Sequence, residues 1–360
     1  METNAKPNYS YQKKAAKQVL KNALSDNYIA SLLAATPASG KSTISQICLN
    51  RYIQTYPSSR IVVLTEGQSP LKENYLNELK NSHIDINFTF GEFGSDSQVQ
   101  VGLPQSIDNI KWEEIDLLIV DEAHNFYFAP TVRNIIKKYK VKHQILMTGS
   151  PSEFNLHNQI TNGKKYGIYY ISAEDLQKNG VFSGVDMDVF RSSDRKNPHR
   201  TIKELISFAK SRRDNLSKMM IACPTVEYAK SVKDYLTVQG RKVSLSTADT
   251  DKDNEAIAAF KANKTDTLVV VNKGILGFND KGITFLADLK SSSNVDASNQ
   301  LFSRVLRTHP EGLRKTYMRA STGTKDFNKQ VVILHKIVAL MKRDFFKQYN
   351  GNNLKIELAY

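Results

Sequence analysis

The chain has 360 residues, of which 40% are hydrophobic and 24% are charged, and its formal net charge is +14. This length accommodates two domains with a core each, and no apolar run approaches the roughly 18–20 residues of a membrane span. Residues 1–180 hold 19 basic and 17 acidic side chains, whereas residues 181–360 hold 31 and 19, so the halves carry +2 and +12. A solvated basic surface would explain this asymmetry, and so would a binding surface for a polyanion, most often nucleic acid.

The amino-terminal residues and the cysteines indicate the compartment. Residues 1–10 are polar and contain no apolar region of the kind found in signal peptides. Cys48 and Cys223 lie far apart and form no metal-ligand pair, so we expect buried thiols in a reducing compartment. The sequence therefore predicts a cytoplasmic protein that does not bind membranes.

Tyr11 and Gln12 precede a helical pattern over residues 13–20. An aromatic ring beside an amide could stack on a nucleotide base and hydrogen-bond its edge. An ordinary helix cap is the alternative interpretation of the same two residues.

The strongest local pattern is residues 34–43, AATPASGKST, between an apolar run at 28–33 and a helical segment at 44–49. This strand–loop–helix setting is typical of a phosphate-binding loop, although Ala35 stands where the pattern GxxxxGK(S/T) has glycine. Lys41 would reach the β- and γ-phosphates, and the Ser42 hydroxyl would bind Mg²⁺. The predicted phosphate-binding residues are Thr36, Pro37, Ala38, Ser39, Gly40, Lys41, Ser42 and Thr43.

Strands and helices then alternate, which predicts a doubly wound parallel sheet. Residues 60–65 and 99–107 read as strands with a helix at 71–79 between them, and a third strand-to-loop transition lies at 144–151. The apolar run that starts at residue 115 ends in Asp121 and Glu122, at the strand end where such sheets bind ligands. We expect Asp121 to hold Mg²⁺ and Glu122 to orient and deprotonate an attacking water.

These stretches resemble the superfamily 2 helicases and translocases with a DEAH box, whose first lobe is RecA-like. Residues 121–124 match that box letter for letter and include His124, and residues 148–151 resemble motif III. Tyr11 and Gln12 resemble the adenine-reading Q motif. The resemblance also implies nucleic-acid contacts from the regions of motifs Ia and Ib/Ic, at Thr65, Gly102 and Gln105.

The family requires a second RecA-like lobe, and the remaining sequence supplies a second alternation after the weakly patterned residues 152–182. Strands are predicted at 185–190, 218–225, 242–247 and 267–271, with helices at 202–208, 226–236 and 253–260. Residues 191–200 read as a connector. Residues 218–225 resemble motif IV, which implies a nucleic-acid contact at Thr225. The predicted fold class is α/β, two tandem RecA-like lobes with the nucleotide site in the cleft between them.

Two further stretches resemble motifs V and VI. Residues 274–280 imply nucleotide contacts at Gly277 and Asn279, with Asp280 as the alternative acidic position. Residues 300–307 match QxxGRxxR except that Ser303 replaces glycine. Their spacing predicts two arginines on one helix face, with a glutamine one turn earlier. The resemblance implies that these arginines act as arginine fingers. The predicted catalytic residues are Lys41, Glu122, His124, Gln300, Arg304 and Arg307.

Residues 315–320 read as a last strand, and residues 327–346 as one long basic helix with an apolar side. The predicted domains are a first lobe over residues 1–182, a second lobe over 183–325, and a helical extension over 326–360 packed on the second lobe.

The resemblance implies an ATP-dependent, Mg²⁺-requiring helicase or translocase that acts on nucleic acid, with DNA favoured over RNA. We expect a monomer, with protein partners from replication, recombination or repair. One alternative is a nucleotide-gated clamp, duplex remodeller or branch-migration translocase without processive unwinding. Another is a phosphate-loop kinase or other NTPase that needs no nucleic acid, which would leave the second lobe and motif VI unexplained.

Overall fold

The computed structural model describes residues 8–65, 69–81, 88–251, 254–271 and 280–349. The described residues form two compact units, each built around one parallel sheet. The first unit comprises residues 8–175 and 342–349, and the second comprises residues 176–341. Both sheets confirm the predicted fold class of two doubly wound α/β domains.

The first unit contains a seven-stranded sheet in the order β3-β4-β2-β5-β6-β1-β7, with every strand pair parallel. Its strands are β1 (Ala30–Ala35), β2 (Ile61–Leu64), β3 (Phe90–Glu92), β4 (Val99–Gly102), β5 (Leu117–Val120), β6 (His143–Thr148) and β7 (Tyr166–Ile171). Its helices are α1 (Ser10–Ala23), α2 (Lys41–Thr55), α3 (Ser69–Lys80), α4 (Ala123–Phe126), α5 (Pro130–Lys138), α6 (Ser152–Ile160) and α7 (Ala173–Lys178), which crosses the boundary between the units.

The second unit contains a six-stranded parallel sheet in the order β10-β11-β9-β12-β13-β8. Its strands are β8 (Val185–Ser192), β9 (Met219–Ala222), β10 (Val243–Ser246), β11 (Thr267–Val270), β12 (Phe285–Asp288) and β13 (Lys315–Thr322). Its helices are α8 (Pro198–Ser211), α9 (Val226–Val238), α10 (Glu255–Lys261), α11 (Val295–Phe302) and α12 (Gly323–Met341).

The central strands are apolar because helices cover both faces of each sheet. Every residue of β1, β2 and β5 is buried, and so is every residue of β9, β11 and β12. Each fully buried aliphatic side chain contributes roughly 1.5–3 kcal/mol of transfer free energy. Burial of these runs therefore fixes the strands, and their polar ends carry the loops described below. Both cysteines are buried, as predicted.

The carboxyl-terminal region differs from its prediction as one helix over residues 327–346. Helix α12 ends at Met341, Lys342 is extended, and α13 (Arg343–Gln348) follows. Helix α13 packs on the first unit, not the second, because the Asn155 Nδ2 donates to the carbonyls of Phe346 and Tyr349 at 3.2 and 2.8 Å. The first unit is therefore completed by residues that follow the second unit in sequence.

Other boundaries also differ. The predicted strand over 99–107 is β4 followed by a 3-10 helix over Pro104–Asn109, since proline opens that turn. The weakly patterned residues 152–182 contain α6, β7 and α7, and the division between units falls after Asp175, not after residue 182. Strands β3 and β12 were not predicted. None of the helices in the described part of the chain is long and apolar enough to span a membrane.

Candidate functional site

Three loops follow the carboxyl ends of the adjacent strands β5, β6 and β1. The loop after β1 is the predicted phosphate-binding loop and leads into α2. Its backbone turns sharply, because Ala38 and Gly40 both have positive φ angles, of 69° and 84°. A Cβ at position 40 would lie 2.3 Å from the Gln12 Nε2. The left-handed backbone conformation therefore favours glycine at position 40, and the Gln12 amide lies close to it.

The start of α2 presents free backbone donors. The first intrahelical bond runs from the N–H of Ile44 to the carbonyl of Gly40, at 3.0 Å. The preceding N–H groups, of Lys41, Ser42 and Thr43, have no partner within the helix because a helix begins with unpaired donors. Together with the helix dipole, they suit an anion such as phosphate.

Neighbouring residues support this loop from two sides. The Thr36 N–H donates to the carbonyl of Ile171 on β7 at 2.9 Å, and the Ser39 N–H donates to the Thr36 carbonyl at 3.1 Å. The Tyr11 hydroxyl donates to the Ser39 carbonyl at 2.7 Å. Tyr11 and Gln12, in the first turn of α1, thus both contact the phosphate loop.

Asp121 and Glu122 follow β5, and Glu122 has a left-handed backbone with φ of 45°. The Glu122 N–H donates to the Asp121 Oδ1 at 2.9 Å, and the Glu122 Oε1 lies 3.4 Å from the Lys41 Nζ. The DEAH segment and the phosphate loop therefore meet through a lysine–carboxylate ion pair.

The environment of Asp121 favours its protonated form. Burial, followed by the negative charge of Glu122, raises the pKa of Asp121 to about 7, against the opposing charge of Lys41. A divalent cation would relieve this, because its charge favours the ionised carboxylate. Among the described residues no group of three or more His, Cys, Asp and Glu forms a metal cluster. A Mg²⁺ held by one or two protein oxygens, phosphates and water needs no such cluster, so Ser42 and Asp121 fit this ion.

His124 links the loop after β5 to the loop after β6. Its Nδ1 lies 3.0 Å from the Thr148 Oγ1 and 3.6 Å from the Glu122 Oε2. The Ser150 N–H donates to the Thr148 Oγ1 at 3.0 Å. Burial lowers the pKa of His124, with the Glu122 charge opposing, so the imidazole is neutral at pH 7. A Cβ at Gly149 would lie 3.6 Å from the Lys41 Nζ, which brings this loop to the same lysine.

The residues predicted to contact nucleic acid have different environments. Thr65 is 2% exposed, and its N–H donates to the Gly102 carbonyl at 3.0 Å. A Cβ at Gly102 would lie 2.5 Å from the ring of Phe93, so that position requires glycine. Gln105 is exposed to solvent in the 3-10 helix. Thr225 caps α9 in the second unit, where its hydroxyl accepts from the Tyr228 N–H at 3.2 Å.

The predicted helical face with both motif VI arginines is wrong. Helix α11 carries Gln300 but ends at Phe302, because the N–H groups of residues 304–306 bond three residues back, not four. Arg307 is extended and forms an antiparallel bridge with Phe182. The Thr308 N–H donates to the Val181 carbonyl at 3.1 Å, so pairing with a distant segment overrides the helical spacing.

The predicted motif V residues Gly277 and Asn279 lie outside the described residues. Asp280 accepts from the Gly282 N–H at 2.7 Å and pairs with the Lys218 Nζ at 2.7 Å. Lys218 directly precedes β9, so this ion pair lies at the amino edge of the second sheet, away from the strand ends that carry Thr225.

The sequence interpretation missed a buried polar cluster in the second unit. Tyr317 and Arg319 of β13 are fully buried and contact Asp288 at the end of β12. The signal was present: Lys315, Tyr317 and Arg319 recur at every second position, which places them on one face of the strand.

Residues 6–153 match the family model described as "Type III restriction enzyme, res subunit". No curated protein sequence matches this chain. Solved structures are similar across both units, at low identity. Saccharomyces cerevisiae Dbp5 bound to RNA and ADP BeF3 has a TM-score of 0.62 at 13% identity, over 92% of this chain and 86% of that chain.

Two further structures are similar. A fragment of a putative HsdR subunit of a type I restriction enzyme from Vibrio vulnificus has a TM-score of 0.65 at 16% identity, over 86% of this chain and 63% of that chain. The Hef helicase domain of Pyrococcus furiosus has a TM-score of 0.54 at 13% identity, over 88% and 96%. These likenesses show the fold: two parallel-sheet α/β domains that match the RecA-like lobes of Dbp5 and HsdR.

Proposed function

We propose that this chain is a nucleic-acid-dependent ATPase that acts as a helicase or translocase with a DEAH box at residues 121–124. One observation carries the proposal: three adjacent loops bring Lys41, Glu122, His124 and Thr148 together beside the backbone amides that begin α2. This arrangement suits phosphoryl transfer to water, in which positioning and charge stabilisation supply most of the catalysis.

Each residue at the phosphate loop has a role in this proposal. The Lys41 ammonium stabilises negative charge on the β- and γ-phosphates, and the helix amides bind the phosphate oxygens. Glu122 accepts a proton from the attacking water and holds it in line. The neutral His124 and Thr148 keep the DEAH segment beside the motif III loop. Mg²⁺, held by Ser42 and Asp121, would neutralise charge on the transferred phosphoryl group.

The second unit would complete the reaction. We assign to Arg304 and Arg307 the stabilisation of charge on the γ-phosphoryl group, with Gln300 beside them. An arginine finger accelerates related reactions by roughly 10³–10⁵-fold. The dependence of hydrolysis on both units would let ATP turnover drive movement along a strand.

Nucleic acid is the proposed partner, with DNA favoured over RNA. The net charge of +12 over residues 181–360 supports a sequence-independent contact with phosphates. Binding of this type weakens steeply with salt because bound counterions are released. The Dbp5 structure contains RNA, so the test must compare DNA with RNA.

The test is ATP hydrolysis measured without nucleic acid and with single- and double-stranded DNA and RNA, at several salt concentrations. We expect stimulation by at least one of the four and loss of turnover in Glu122→Gln, with nucleotide binding retained. An ATP hydrolysis rate that none of the four nucleic acids changes would contradict the proposal and favour an NTPase with another substrate.

A nucleotide-gated clamp or remodeller without processive unwinding is the second candidate. Ala35 and Ala38 favour it, because alanine restricts a loop where glycine allows movement, and Ala38 occupies a left-handed conformation. Strand displacement on a tailed duplex separates the two candidates. Stimulated ATPase activity without displacement would favour the clamp.

A further inference from the structure

The second unit contains a buried ionic cluster that the proposed chemistry does not use. We call Asp288, Tyr317, Arg319 and Gln330 the platform. The Arg319 side chain is fully buried, and its Nη1 lies 3.1 Å from the Asp288 Oδ2. The Tyr317 hydroxyl donates to the same carboxylate oxygen at 3.1 Å. Gln330 of α12 accepts from the Arg319 Nε and Nη2 at 3.1 and 2.8 Å.

Stability alone is a weak explanation for such a cluster. Moving both charges out of water opposes folding, and apolar side chains of similar volume often serve equally well in a core. A fully hydrogen-bonded buried ion pair does, however, fix the geometry of the groups around it. The groups held by the platform therefore indicate its role.

The platform holds the turn between β12 and α11. The Arg319 Nη2 donates to the Ser292 carbonyl at 2.6 Å, and the Ser291 N–H donates to the Asp288 Oδ1 at 2.8 Å. Ser291 has a φ of 47°, a conformation that non-glycine residues rarely adopt and that surrounding contacts must maintain. The platform supplies those contacts.

The platform is linked to α11 indirectly near its start, through the Ser292 carbonyl, and directly at its end. At the start, Asn294 caps the helix, and the Ser298 hydroxyl lies 3.3 Å from the same Ser292 carbonyl that Arg319 binds. At the end, the Phe302 ring packs edge-on against the Tyr317 ring, with centroids 5.2 Å apart. The helix that carries Gln300 and leads into Arg304 is thus located by buried charges on neighbouring strands.

We propose that Arg319 and its platform partners are positioning residues: they fix α11 so that the motif VI side chains are correctly placed for phosphoryl transfer. This inference rests on the proposed function. A small displacement of a catalytic group lowers the rate without weakening substrate binding. Substitutions in the platform should therefore lower kcat, whereas substitutions elsewhere in the core that cost the same stability should not.

The experiment compares Arg319→Lys and Tyr317→Phe with the wild type and two controls in the full chain. Lysine keeps a positive charge opposite Asp288 but cannot donate to Asp288, Ser292 and Gln330 together. Phenylalanine keeps the ring against Phe302 and removes only the hydroxyl. The controls, Ile202→Val and Leu205→Ala, remove buried methyl groups from α8 and bracket a range of destabilisation away from α11.

The measurements are kcat and KM for ATP with a saturating stimulating nucleic acid, the affinity for a non-hydrolysable ATP analogue, and Tm. We expect kcat of Arg319→Lys to fall about 10- to 100-fold, while KM and analogue affinity change by less than about threefold. The Tm of this variant should lie within the range of the controls, which keep kcat within about twofold. For Tyr317→Phe we expect kcat to fall about threefold with little change in Tm.

If the loss of kcat in Arg319→Lys is no larger than that of a control variant with the same loss of Tm, the inference is overturned. The cluster would then be purely structural. If Arg319→Lys does not fold, an unchanged kcat in Tyr317→Phe has the same consequence. These failures leave wild-type turnover intact. Absence of nucleic-acid-stimulated turnover in the wild type would instead overturn the proposed function and this inference with it.

Discussion

The two units share an architecture but place their polar residues differently. In the first unit, the central strands β1, β2 and β5 are buried throughout, and the charged groups lie in loops at their carboxyl ends. In the second unit, β13 carries Lys315, Tyr317 and Arg319 inside the protein. One unit uses an apolar sheet to support reactive loops, and the other uses buried charge to support a helix.

This difference determines how each unit responds to substitution. Side chains beyond the strand ends, such as Lys41 at the start of α2, can be changed without disturbing the sheet, so their loss should affect chemistry more than folding. Substitution of buried groups such as Arg319 should affect both catalysis and folding. The following substitutions separate the two kinds of role, starting with the largest expected effect.

Lys41→Ala is expected to remove at least about 10³-fold of the nucleic-acid-stimulated ATPase rate, because the charge beside the phosphates is lost. The measurement is steady-state phosphate release with the stimulating nucleic acid. Lys17→Ala, an exposed position on α1, is the control and should retain the wild-type rate. Normal turnover in Lys41→Ala would show that the proposed site in the first unit does not hydrolyse ATP.

Arg307→Ala is expected to lower kcat by about 10³-fold while nucleotide affinity changes little, since an arginine finger acts mainly in the transition state. The matched control is Arg314→Ala, whose side chain is 77% exposed and paired with Asp186. Single-turnover hydrolysis and equilibrium nucleotide binding give the two quantities. Equal hydrolysis rates in the two variants would show that Arg307 of the second unit does not act in catalysis.

Asp121→Asn is expected to stabilise the apo protein by about 2–4 kcal/mol above pH 7. Burial and the Glu122 charge raise the pKa of Asp121 to about 7, so ionising it opposes folding. The wild type therefore loses stability as pH rises from about 4, and it levels off above pH 7, whereas the amide variant lacks this dependence. Urea unfolding without Mg²⁺ between pH 4 and 8 measures the difference.

Asp116→Asn is the control, with the opposite sign. Burial opposes ionisation of Asp116, but hydrogen bonds from the Lys142 side chain and the Arg60 N–H outweigh it and lower its pKa. That stability is present near neutral pH and is lost as pH falls through the lowered pKa. If Asp121→Asn destabilised the protein at pH 8, the ionised carboxylate of Asp121 would stabilise the first unit, as that of Asp116 does. This result would contradict the prediction.

Ala38→Gly is expected to stabilise the first unit by about 0.5–1 kcal/mol, because glycine adopts a φ of 69° without steric cost. Ala258→Gly, at an exposed position in α10, should destabilise the second unit by a similar amount. Thermal unfolding compares the two, and ATP turnover of Ala38→Gly shows whether the stiff loop also limits the rate. A loss of stability in Ala38→Gly would contradict the assigned strain.

The sequence predicted what local patterns determine. Continuous apolar runs located the buried strands, and the geometry brings the predicted phosphate loop and residues 121–124 together in the candidate site of the first unit. Local pattern failed where distant segments decide the conformation. Arg307 follows a helical spacing but pairs with residue 182, and the helix over 327–346 breaks at Lys342, where α13 docks against Asn155.

The platform escaped prediction for a related reason. The side chains at 315, 317 and 319 share one strand face and carry polar groups, and such a face ordinarily meets solvent. Helix α12, through Gln330, and the turn at Ser292 cover that face, and the residue pattern of β13 itself predicts neither contact. A buried charge pair is recognisable only once the partners that compensate it are known.

Because α13 belongs to the first unit, the chain passes between the units twice, once within α7 and once after α12. A protease that cuts within α7 would leave the second unit covalently attached only to α13, which is held on the first unit by non-covalent contacts such as those of Asn155. A fragment that stops at Asp175 would also lack Phe346, which is buried against Tyr170 on the edge strand β7. Expressing the first unit alone therefore requires grafting residues 342–349 back onto it.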